Sequence, residues 1–140
     1  MGVDYVTHIL AGWQATTEAE RIRHSCVLLA VAFCLHTVAD PALTYLGVVH
    51  FEVATEANPF IEQWLQAGLW PFIAIHLPVY ALGAGSIVCL RWLYQAATPR
   101  EQELMYYSSM IGFSGLILWG AILILNSLFV LWIALSGTLL

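Results

Sequence analysis

LMYYSSMIGFSGLILWGAILILNSLFVLWIALSGTLL, residues 104–140, contains no aspartate, glutamate, lysine or arginine. As one helix it would be about 55 Å long at 1.5 Å per residue, against a bilayer core of about 30 Å. One span fits with length to spare. Two do not, because they would need about 40 apolar residues and a turn. The surplus is expected to protrude at the Tyr106–Ser109 end or to be absorbed by a bend near Gly120 or Asn126-Ser127.

The same pattern recurs toward the N-terminus. Residues 63–90 carry no formal charge, and residues 24–51 carry only Asp40. Hydrophobic residues make up 61% of the 140 and charged residues 9%, whereas soluble domains have about 45–50% and about 25%. A soluble fold of this length cannot bury so much apolar surface, so lipid must be the solvent for part of it. The expected fold is an all-α integral membrane bundle in a single membrane domain, 1–140. It has three transmembrane helices (25–49, 70–91 and a long 98–138), an interfacial segment at 1–16 and a short outer surface helix at 58–67.

Helix starts are written locally. Thr17-x-x-Glu20 and Thr98-Pro99-Arg100-Glu101 have the form of capping boxes, the second with proline at the first helical position. Asn58-Pro59 reads as an N-cap followed by the same proline. Val6, Ile9, Leu10 and Trp13 recur at helical spacing, which suits a helix lying in the membrane interface. The cation-free start, with Asp4, does not read as a secretory signal.

The arginines set the expected orientation. Arg21 and Arg23 precede the first span, and Arg91 and Arg100 flank the short loop between the second and third. All four then fall on one side, which the positive-inside rule makes cytoplasmic. The chain is thus expected in the cell membrane as a multi-pass protein, N-terminus in the cytoplasm and C-terminus outside. A net charge of −5 and the lack of lysine argue against nucleic acid or an anionic membrane surface as partner. The lipid bilayer itself is implied, together with further copies of the chain or other membrane subunits. Ala81-x-x-x-Gly85 and Ser108-x-x-x-Gly112 would permit close helix approach. Cys26, Cys34 and Cys89 lie in apolar runs and form no disulfide or zinc pattern; Cys26 and Cys89 are near enough to the arginine end for palmitoylation.

Asp40 is the most informative residue. A carboxylate at membrane depth costs at least about 2.5–3.5 kcal/mol, so it must face protein or water, or be held neutral. His36, Asp40 and Thr44 step by four along one helix face. Counted from the arginines, Asp40 lies about 25 Å deep, His76 about 22 Å and His36 about 20 Å, so the spacing allows Asp40 and His76 to meet. Pro41 and Pro78 would leave the carbonyls of Thr37 and Ala74 without their helical partners near that depth. Glu56 and Asn58 could close over the top, and Asn126 either joins from the third span or caps a bend. The candidate site is therefore Asp40, Thr44, Glu56, Asn58 and His76, with His36 below. Several chemistries fit these residue types. They are a folding clasp between Asp40 and His76, a proton, ion or small polar ligand site, a metal held by His36, Asp40 and His76, and haem between His36 and His76. No cofactor is singled out, and no nucleophile–base pair is visible.

Asp40-x-x-x-Thr44, Glu56-x-Asn58-Pro59 and Phe72-x-x-x-His76 together resemble an uncharacterised family of short prokaryotic membrane proteins, a domain of unknown function. That family pairs a first-span Asp-x-x-x-Thr with Glu-x-Asn-Pro and then has Phe-x-x-x-Lys in the second span. The resemblance covers about residues 25–90. It implies that Asp40, Thr44, Glu56, Asn58 and Pro59 belong to one constellation, with His76 where the family has lysine. It lends no activity. The function classes left open are a membrane protein with a buried polar pocket, a structural subunit of a larger membrane complex, and an intramembrane metal-dependent enzyme.

Overall fold

The computed structural model describes residues 17–137, so the expected interfacial helix at 1–16 lies outside the described residues. Among the described residues three helices are long and apolar enough to cross a membrane. They are α1 (Glu18–His50), α3 (Leu69–Ala96) and α4 (Pro99–Leu135), and the short α2 (Pro59–Gln66) lies between the first two. The first runs further at its N-terminal end than its apolar stretch suggests.

The caps explain the starts. Thr17 donates its backbone N–H to Glu20 Oε2 at 2.8 Å, and the Glu20 N–H returns to Thr17 Oγ1 at 3.4 Å. At α4, Thr98 donates its N–H and its hydroxyl to Glu101 Oε2 at 2.8 and 2.7 Å. Asn58 Oδ1 accepts the Phe60 N–H at 3.0 Å and opens α2 at Pro59. Gly68, at φ +110°, makes the turn from α2 into α3, a backbone conformation that side chains with a Cβ rarely adopt.

α1 is the centre of the bundle. It packs on both α3 and α4, which barely touch each other beyond the turn that joins them. Contacts with α3 pair Ser25 with Tyr94, Phe33 with Gly83, Thr37 with Tyr80 and Tyr45 with Phe72. The two helices therefore run antiparallel in a constant register. Against α4 the neighbours are Leu35 and His36 with Gly120, and Gly47 with Leu131, in parallel. The small residues at the crossings are therefore Gly83, over which the Phe33 ring lies, and Gly120, against His36. Gly85 and Gly112, singled out by their spacing, face open space. Spacing alone marks which residues are small, not which face meets a neighbour.

α4 runs as one continuous helix from Pro99 to Leu135, through both Gly120 and Asn126. Its extra length at the arginine end is matched by the early start of α1, and Gln102, Tyr106 and Ser109 are buried there. The irregularity sits in α1 instead. Two π turns, Leu35–Ala39 and Leu46–His50, flank the segment Asp40–Tyr45. Pro41 supplies a reason for the first. In an α-helix its ring would clash with the carbonyl four residues back, that of Thr37. The wider turn bonds the Asp40 N–H to Leu35 O, five residues back, and the Thr37 carbonyl accepts the Tyr80 hydroxyl at 3.0 Å.

Candidate functional site

The far end of α1 folds the next segment back onto itself. Phe51 N–H bonds to Leu46 O at 2.9 Å, Glu52 takes φ +55°, and Val53 and Ala54 both donate to Gly47 O at 2.9 and 3.2 Å. This return brings Glu56 toward α1. Glu56 Oε1 accepts the Asn58 backbone N–H at 2.8 Å, and Asn58 in turn caps α2. The Glu-x-Asn-Pro motif is therefore a local device, a carboxylate fixing the turn and an amide starting the helix. Asn58 itself is exposed.

A cavity of about 320 Å³ lies under this return, between α1 and α4. Its polar lining is Thr44, Thr55, Glu56, Asn126 and Ser127, set among apolar residues that include Val130 and Leu131. Asp40 stands one turn below Thr44 and is half-buried. The charges that act on its carboxylate are those of His36, one turn back on α1, and Glu56, on the returning segment. Its carboxylate has no hydrogen-bond or ion-pair partner among the described residues.

The two histidines go elsewhere. His36 Nε2 donates to the Leu116 carbonyl of α4 at 2.9 Å, its ring lying against Gly120. His76 Nδ1 donates to Phe72 O, one turn back on its own helix, at 2.7 Å. The His76 ring meets Phe72 edge-on and stacks beside Tyr80. In the α1–α3 register His76 is level with Pro41, so the depth reckoning placed it well. The expected Asp40–His76 contact is nonetheless not formed. Depth follows from counting residues, but direction around the axis depends on helix geometry, and the π turn changes it within one turn of Asp40.

The structure does not bring His36, Asp40 and His76 together. Among the described residues no three His, Cys, Asp or Glu side chains are placed to hold an ion. Haem between His36 and His76 would need both imidazoles to face one space, and they turn toward different helices. Tyr80 was missed by the sequence reading; the free Thr37 carbonyl behind Pro41 was the signal for it, since a buried acceptor calls for a donor.

The fold and the site define a class: an all-α membrane protein in which a π-turned central span and the folded-back segment that follows it carry the polar residues. The chain belongs to the family described as Domain of unknown function (DUF5658), whose model matches residues 31–135. That stretch includes His36, Asp40, Thr44, Glu56, Asn58 and His76. No curated protein and no solved structure matches the chain.

Proposed function

We propose that this chain binds a proton or a small cation at Asp40 and Glu56, reached through the cavity between α1 and α4. The observation that carries the proposal is the Asp40 carboxylate, half-buried in an apolar helix without a hydrogen-bonding partner among the described residues and within the electrostatic reach of a second carboxylate, Glu56. Leaving an ionised acid so placed is costly, and two acids within reach of one another are relieved by a shared proton or a cation. Thr44, Asn126 and Ser127 would add neutral oxygens, the ligand type that hard cations take. His36 flanks Asp40 on the arginine side, and Asn58 holds Glu56 in place through its own N–H. His76 is a packing residue in this reading. In this reading the positive-inside rule puts the arginine end in the cytoplasm of a cell-membrane protein, and the cavity then opens toward the outside.

Infrared spectra of the reconstituted protein test this. Titrating pH, or adding sodium or calcium, should change a carboxyl stretching band that disappears in Asp40→Asn. Glu56→Gln should shift that band's midpoint, since its amide oxygen can still accept the Asn58 N–H and keep the turn. A native spectrum indifferent to pH and to both cations would end the proposal.

A second reading, a structural subunit, is favoured by an open trough on α3 lined by Pro78, Ala81, Leu82, Gly85, Ser86 and Cys89, mostly small residues. Close helix approach would suit such a small-residue face. Cross-linking through Cys89 in native membranes would detect a neighbour there, and its absence at every cross-linker length would dismiss the reading.

A further inference from the structure

At the arginine end a groove of about 740 Å³ runs between α1 and α3. Along α1 its lining extends from Glu18 to Ala30, a length of about 18 Å. Most of that wall is apolar, with Ile22, Val27 and Ala30 on one side and Ile87 on the other. Two guanidinium groups open into it, Arg23 from α1 and Arg91 from α3. The α1–α3 register puts Arg91 level with Cys26, on which it acts electrostatically, and Arg23 level with Gln95. The two arginines are therefore about one helical turn, about 5 Å, apart in depth on opposite walls. Both are exposed, and neither has an ion-pair partner among the described residues. The nearby acids are Glu18, at the groove's aqueous end, and Glu20, whose carboxylate is taken up by the Thr17 cap.

We propose that this groove binds one anionic phospholipid, its phosphate between Arg23 and Arg91 and an acyl chain along Ile22, Val27 and Ala30. The match is one of chemistry at two depths. Guanidinium groups offer fork-shaped donors suited to phosphate, and the wall below them is as apolar as a lipid tail. Long arginine stems lie along apolar surface while their heads reach the headgroup level. The overall negative charge of the chain does not oppose this, because screening confines a charge's influence to within about 10 Å.

Native mass spectrometry of the full chain released from nanodiscs of equal phosphatidylglycerol and phosphatidylcholine is the test. One retained phosphatidylglycerol should be favoured over phosphatidylcholine by about tenfold, in keeping with two basic groups near the headgroup. The double variant Arg23→Gln/Arg91→Gln should bring the ratio close to parity, while Arg100→Gln, outside the groove, should leave it unchanged. Both substituted positions are exposed, so circular dichroism should be native in each variant. Equal retention of both lipids by the native chain would overturn the proposal. So would a preference that survives the double variant, or one that Arg100→Gln lowers equally, which marks diffuse attraction. Displacement of the lipid by millimolar inorganic phosphate would mark a soluble-anion site and overturn it too.

Discussion

The two halves of α1 treat polar residues in opposite ways. From Glu18 to Cys34 the helix is regular, and its buried polar groups are matched. Ser25 and Tyr94, both fully buried, share a hydrogen bond of 2.9 Å, and Gln102 donates to the Tyr94 carbonyl at 2.9 Å. Arg21 Nε is the exception, buried without a partner among the described residues. From Leu35 to His50 the helix widens twice, a proline interrupts it, and a carboxylate stands beside a cavity with nothing to bond. Matched buried polar groups hold a bundle together, whereas an unmatched one is held in place by the rest of the fold. The buried polar groups of the arginine half accordingly build the bundle, its free arginines lying on the exposed groove face, whereas the far half keeps an unmatched acid within the helix itself.

Four substitutions sharpen or break that contrast. The largest effect is expected at Gly83, where any Cβ collides with the Phe33 ring. Gly83→Leu should destabilise the protein by about 3 kcal/mol, the upper range for overpacking, in reversible unfolding from mixed micelles. Tyr94→Phe leaves Ser25 without its buried partner and should cost about 1 kcal/mol in the same assay. Tyr80→Phe removes the hydroxyl that satisfies the Thr37 carbonyl and should cost less, about 0.6 kcal/mol, typical of one interhelical hydrogen bond in a membrane. If Tyr80→Phe proved the more damaging of the two, the far half would be the structural one and the contrast would be reversed. Asp40→Asn should be smallest, unchanged within about 0.5 kcal/mol or slightly more stable, because it breaks no bond and removes an uncompensated charge. A loss of several kcal/mol there would reveal a bonded structural acid and remove the proposed site.

Much of the frame was legible in residues 17–137. The three apolar runs, both capping boxes and the Asn58 cap each depend on neighbours within a few positions, so sequence carries them directly. For the candidate site the sequence showed which polar residues interrupt the apolar runs, and not how they are arranged. Thr44 and Glu56 do line one cavity, and Asn126 joins them from α4. His76 was drawn in by depth and is turned away by a bond to its own helix.

What the sequence determined by itself is that this chain crosses lipid in helices, where each begins, and that all four arginines gather at one end. Those properties follow from hydropathy and capping, which act over a few residues. Only the tertiary structure decided that α1 lies between two spans that scarcely meet, that Gly83 and Gly120 are the crossing points, and that His36 and His76 bond to different helices. Lipid tails solvate every apolar face equally well, so hydrophobicity cannot choose neighbours among helices. That choice falls to close packing and to a few hydrogen bonds across long stretches of chain, and a single widened turn is enough to redirect them.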